Sequence, residues 1–93
     1  MKKRPNIVMI MADQMAFDVI GALGHTAVKT PNIDRLVERG VTFSNCYCNS
    51  PLCVPSRASM VSSKLPSNID VYDNGSELSS SIPTFVHHLR NNG

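Results

Sequence analysis

A chain of 93 residues allows one small domain at most, and two Tyr, three Phe and no Trp are thin material for an independent core. An apolar fraction of 42% argues against intrinsic disorder. A net charge of +2 is too small to imply a nucleic-acid partner, and no run approaches the roughly 20 apolar residues of a membrane span.

In chain order, Lys2-Lys3-Arg4 reads as a short solvated terminus. The apolar run Ile7-Val8-Met9-Ile10-Met11 then stops before Asp13. It is shorter than the roughly 7–15 residues of a signal-peptide core, and no clean small-residue cleavage pattern follows. A cytoplasmic location is therefore expected. Residues 6–11 suit a strand buried on both faces, as in a parallel sheet. Asp13 falls at its carboxyl end, where open α/β sheets place ligands, although the residues alone favour a simple strand-ending acid. Residues 17–28, with Gly21, Gly24 and His25, carry no period and read as a loop.

A punctuated helix comes next. Thr30 can cap it, Pro31 fits the first turn, Ile33, Leu36 and Val37 share a face, and Gly40 closes it in the usual C-terminal role. Residues 41–47 alternate, as a second strand would, with Val41, Phe43, Asn45 and Tyr47 on one side. Residues 49–55 form a loop, and residues 56–61 the helix after it. Residues 62–75 read as irregular, ending in the Asp73-Asn74-Gly75 turn signal. A last helix is expected from near Ser81, with Pro83 in its first turn, a stripe of Phe85, Val86 and Leu89, and termination at Asn91-Asn92-Gly93. His87 and His88 on it are expected at the surface, and Met9, Met11, Met15 and Met60 in the core. The order β, α, β, α, α is that of part of an α/β domain.

Cys46, Cys48 and Cys53 are an odd set, a poor fit to a closed disulfide framework. Two positions apart on one strand, Cys46 and Cys48 are also too close for an unstrained bridge. The C-x-C-x4-C spacing, with His25 or His87 distant, matches no usual zinc pairing. Reduced thiols are the expectation.

The chemistry concentrates at Cys53-Val54-Pro55-Ser56-Arg57. A thiol just ahead of a helix N-terminus meets backbone N–H groups and a dipole that favour an anion. Arg57, one turn on, can offer a fork of donors to a tetrahedral oxyanion. On the residues alone, a structural Cys beside a surface Arg is slightly preferred to an anion-binding thiol.

Cys53-x-Pro55-Ser56-Arg57 resembles the C-x-P-S-R signature of type I, formylglycine-dependent sulfatases. Residues 6–13 resemble that family's opening strand, which ends in a metal-binding Asp. Thr30-Pro31-Asn32-Ile33-Asp34-Arg35-Leu36 with Gly40-Val41-Thr42-Phe43 resembles its next helix and strand. Leu65-Pro66-Ser67 and Ile82-Pro83-Thr84-Phe85 continue the match, so the resemblance spans almost the whole chain. Residues 12–14, 49–53 and 72–74 look most like choline sulfatases, with phosphonate monoester hydrolases the nearest competitor.

The resemblance implies the N-terminal portion of an alkaline-phosphatase-like α/β fold, a mixed sheet flanked by helices, incomplete as given: residues 1–93 would be the first part of a sulfatase catalytic domain. It implies a sulfuric ester hydrolase, acting on a small-molecule sulfate ester such as choline sulfate. A separate maturation enzyme would convert Cys53 to formylglycine. One hydroxyl of its hydrate attacks sulfur, and the second allows sulfate to be expelled with the aldehyde restored. Asp13 and residue 53 would ligate a divalent cation, calcium first and manganese or magnesium as alternatives. Arg57 would hold the modified residue and offset negative charge. Asn74 would contact the metal or a sulfate oxygen, its alternative being an ordinary turn Asn before Gly75. Gln14 stands where many members have a second Asp, which removes one anionic ligand. Ser63 replaces the Gly usual after the second helix. The family's downstream G-K-x-H element and further ligands would follow Gly93, so the isolated chain is expected to be inactive, with a homo-oligomer for the full-length protein. The alternatives are a phosphonate or phosphate ester hydrolase of the same superfamily, a non-catalytic fragment serving as an interaction module, or a cysteine-ligated zinc module.

Overall fold

The computed structural model describes residues 4–93; Lys2 and Lys3 of the basic terminus lie outside them. The chain divides into two compact units, Met1–Ser44 and Asn45–Gly93.

In the first unit, two 3-10 turns, Phe17–Val19 and Gly21–Leu23, precede helix α1, Pro31–Arg39. Thr30 is the N-cap residue and Pro31 opens the helix, as expected. The Thr30 side chain does not cap it, however. Its hydroxyl accepts the Gly21 amide at 2.8 Å and donates to Asp34 Oδ1 at 2.7 Å. Asp34 Oδ1 also accepts the Ala22 amide at 2.9 Å. One carboxylate and one hydroxyl thus clamp the preceding turn to α1. Gly21 is needed there: a Cβ would stand 3.0 Å from Asp34 Oδ2 and 3.3 Å from Thr30 Oγ1. Gly40 differs from expectation. Its backbone is extended, with φ −120° and ψ −161°, rather than left-handed. Its smallness matters instead, since a Cβ would approach the Leu36 carbonyl oxygen to 3.0 Å.

The second unit is built on helix α2, Cys53–Ser62, followed by a 3-10 turn at Pro66–Asn68 and helix α3, Phe85–Asn91. Helix α2 starts at Cys53 rather than at residue 56, so the thiol lies within the first turn instead of ahead of it. Its buried side, Pro55, Ala58 and Ser59, faces a small core in which Val71 is fully covered and Ile69 is 5% exposed. Val54, Leu78 and Ile82 complete this cluster. The segment read as irregular therefore supplies two of the three buried apolar core residues, Ile69 and Val71. Two bonds to the Pro66 carbonyl, from the Ile69 amide at 3.3 Å and the Val71 amide at 3.2 Å, fold it back. Ser63 leaves α2 in the left-handed region, with φ 57° and ψ 29°.

Helix α3 begins at Phe85, four residues later than expected, because Thr84 and His87 form a capping pair. The Thr84 amide donates to His87 Nδ1 at 3.0 Å, and the Thr84 hydroxyl lies 2.8 Å from the same nitrogen. Residues 79–82 form a separate turn, closed by the Ile82 amide on the Ser79 carbonyl at 3.0 Å.

Neither expected strand forms among the described residues. Residues 6–11 and 41–47 have no regular secondary structure. A strand exists through its ladder to a neighbour, and two isolated runs cannot cover their own faces. Their apolar side chains are accordingly open, with Ile10 83% and Phe43 78% exposed. Met9, Met11, Met15 and Met60 are likewise between 37% and 53% exposed, which corrects their reading as core. Among the described residues no helix is long and apolar enough to cross a membrane.

Candidate functional site

The start of α2 is the chemically organised part of the second unit. Leu52, its N-cap residue, has no side-chain acceptor to offer, and its φ of −91° and ψ of 146° turn the chain into the helix. The orphan amides of the first turn therefore look elsewhere. The Leu52 amide donates to Ser50 Oγ at 3.2 Å. The Val54 amide donates to Asn74 Oδ1 at 3.0 Å, from a turn 20 residues away. Pro55 has no N–H to place, which is why a proline is tolerated inside this turn. The Ser56 amide then begins the regular ladder on the Leu52 carbonyl at 3.1 Å.

Asn74 is itself held. Asp73 Oδ1 accepts the Gly75 amide and the Ser76 hydroxyl, each at 2.9 Å. Ser76 Oγ accepts the Tyr72 and Asp73 amides, each at 3.3 Å. Asn74 is thus a turn residue, as one of its two readings from the sequence has it, and the turn delivers its side chain to the Val54 amide, next to Cys53.

Cys53 is exposed and unbridged, as are Cys46 and Cys48. Arg57, four positions on and also exposed, rises from the same face of the helix. An exposed sulfur at a helix N-terminus with a guanidinium one turn away suits an anionic group. Asp13 and Gln14 are exposed residues of the first unit, and Gln14 is left-handed with φ 51°. Among the described residues no group of three or more His, Cys, Asp or Glu is placed to hold a metal ion. Calcium takes about 6–8 oxygen ligands. The described residues thus do not build a cation site by themselves.

One residue of this region, Ser59, has no role assigned from the sequence. Ser59, 3% exposed, donates to the Lys64 carbonyl at 2.6 Å and accepts Asn49 Nδ2 at 2.9 Å. The remote cap was foreseeable in one respect: a helix preceded by Leu52 needs an acceptor from elsewhere. Nothing in the local pattern singles out Ser59 among its neighbouring serines.

Comparison with known proteins decides the family. The sulfatase family model matches residues 5–93. The chain belongs to the sulfatase family. It is 44% identical to a choline-sulfatase of Rhizobium meliloti over 97% of this chain and 18% of that protein. It is 40% identical to human arylsulfatase A over 73% of this chain and 13% of the relative. An N-acetylglucosamine-6-O-sulfatase of Bacteroides thetaiotaomicron is 34% identical over 98% of the chain and 16% of its own length. The sulfatase segment thus spans less than a fifth of these relatives. No solved structure gives a significant match. Family membership implies an alkaline-phosphatase-like fold; the mixed sheet of that fold is not formed by the described residues.

Proposed function

We propose that this segment carries the nucleophile residue of a sulfuric ester hydrolase, with Cys53 oxidised to formylglycine by a maturation enzyme. As an aldehyde hydrate, residue 53 would supply a hydroxyl toward sulfur and a second one for release of sulfate. The observation that carries the reading is the placement of the C-x-P-S-R segment as the first turn of α2, with Cys53 exposed and the next amide fixed by Asn74.

In this reading α2 presents residue 53 to an incoming sulfate ester. Arg57 binds and orients the anion from the same face. Asn74 contributes through its hold on the Val54 amide, as a support to the nucleophile turn. Asp13 offers one carboxylate to a divalent cation, calcium in the first instance, and Gln14 beside it offers only a neutral amide. The substrate proposed is choline sulfate or a similar small ester, by likeness to the Rhizobium meliloti relative.

The test is the mass of the peptide bearing Cys53, from protein made in its native host. An aldehyde in place of the thiol supports the reading. A thiol retained in a host whose other sulfatases are matured overturns the assignment of Cys53.

A further inference from the structure

Ser59 is the one buried polar residue among those described, and its environment is unusual for a helical serine. A serine inside a helix commonly turns back to the carbonyl four residues earlier. Ser62 does so, donating to the Ala58 carbonyl at 2.7 Å. Ser59 instead sends its proton forward to the Lys64 carbonyl at 2.6 Å and receives Asn49 Nδ2 at 2.9 Å. No buried side-chain nitrogen or oxygen among the described residues lacks a partner, so this bridge is fully satisfied. One oxygen thereby joins the segment leading into α2 to the segment leaving it.

We infer that Ser59 is a positioning residue for the nucleophile. Asn49 lies four residues before Cys53. Ser50 holds the Leu52 amide locally at 3.2 Å, and Leu52 accepts the Ser56 amide at 3.1 Å. The Asn49 bond to Ser59 is what fixes the far end of that path to the body of the helix. A looser path would shift Leu52, and with it the first turn and the direction of residue 53. Displacements of a reacting group by about 1 Å carry rate penalties on the order of 100-fold. The hydrogen bonds of Ser59 go to Asn49 and the Lys64 carbonyl, so its influence on residue 53 is transmitted through residues 49–52. The inference rests on the functional reading above.

The test uses the full-length enzyme produced with its maturation enzyme, with Ser59→Ala, Asn49→Asp and the double variant. Asn49→Asp keeps the size but replaces the donor, and the Ser59 proton is already committed to Lys64. Activity on a sulfate ester is normalised to the aldehyde content at residue 53. Each single variant is expected to lower kcat about tenfold with KM within about twofold, and the double is expected to be no worse than the poorer single, because the Asn49–Ser59 bond is already lost in either single. Normalised kcat unchanged in both singles, with only Tm lowered, would overturn the inference. So would losses that multiply in the double. If the unsubstituted protein carries no aldehyde, the functional reading fails, and exchange of the Ser56 amide then reads the bridge directly. Exchange about tenfold faster in Asn49→Asp, with Val71 unchanged, upholds the positioning of the turn. Equal exchange rates overturn it.

Discussion

Asn74 Oδ1 accepts the Val54 amide at 3.0 Å, so the residue after Cys53 is capped by a side chain from a turn 20 positions downstream. A local cap would have fixed only the helix start. A remote cap also ties the 73–76 turn to the nucleophile segment, making the two one mechanical piece.

Asn74→Ala should therefore cost about 1 kcal/mol, the usual loss for an N-cap acceptor. The loss should be concentrated in the first turn of α2. Hydrogen exchange provides the check: the Val54 and Ser56 amides should exchange faster, with Val71 nearly unaffected. Asn74→Asp retains the acceptor and adds negative charge near the helix N-terminus, so protection at Val54 should be kept. Loss of protection in Asn74→Asp as large as in Asn74→Ala would contradict the capping role.

Ser63 gives a second prediction, in the stabilising direction. At φ 57° it occupies a conformation that disfavours an L-residue by roughly 1–2 kcal/mol. Glycine accepts that conformation but loses more chain freedom on folding. Ser63→Gly should gain about 0.5–1 kcal/mol after this offset, raising the urea midpoint. Ser63→Val, β-branched in the same well, should lower it. A midpoint that falls in Ser63→Gly would show that the serine makes a compensating contact.

How much of this was legible in the sequence depends on the range of the interaction involved. Pro31 and Thr30 marked the start of α1 because helix punctuation is local chemistry. The first turn of α2 begins three residues ahead of its local signals because Leu52 is not a capping residue and the acceptor, Asn74, is remote. Helix α3 begins after Pro83, a common first-turn residue, because Thr84 and His87 supply the cap with a pairing outside the usual Glu or Gln. Residues 6–11 and 41–47 have strand-like sequences, but a strand needs a ladder that the described residues do not provide. The core residues Ile69 and Val71 were hidden because no period marks them. They are buried by the fold-back onto Pro66, a tertiary event. At the site, Cys53 and Arg57 were readable from their motif, while Ser59 was not, since its role depends on Asn49 and Lys64 meeting it in space.

In the first unit, Asp34 carries the clamp on residues 21–22. Asp34→Ala would leave the Ala22 amide and the Thr30 hydroxyl without their acceptor. Asp34 is half-buried and its bonds are partly open to water, so a loss of about 1–2 kcal/mol is expected. Asp34→Asn keeps one acceptor oxygen and should lose less than half as much. Thermal unfolding of the two variants side by side checks this. Equal losses would mean that the charge of Asp34, rather than the acceptor at Oδ1, carries the clamp.

Arg57 shares a helical face with Cys53, four residues apart, and that spacing limits what a replacement can do. A guanidinium presents a planar fork that can meet two oxygens of a sulfate group at once; an ammonium is a single compact charge on a flexible stem. Arg57→Lys preserves the charge, so a merely electrostatic role would leave most activity intact. If the fork orients the anion in the transition state, Arg57→Lys in the full-length matured enzyme should lower kcat/KM about 100-fold, on the scale of losing one preorganised donor. Aldehyde content at residue 53 must be measured in the same samples, because Arg57 also belongs to the signature that resembles the maturation motif. A variant with normal aldehyde content and a large loss of kcat/KM places the defect in anion handling. Normal aldehyde content with kcat/KM within about threefold of the unsubstituted enzyme would remove Arg57 from that role and leave it as a carrier of charge.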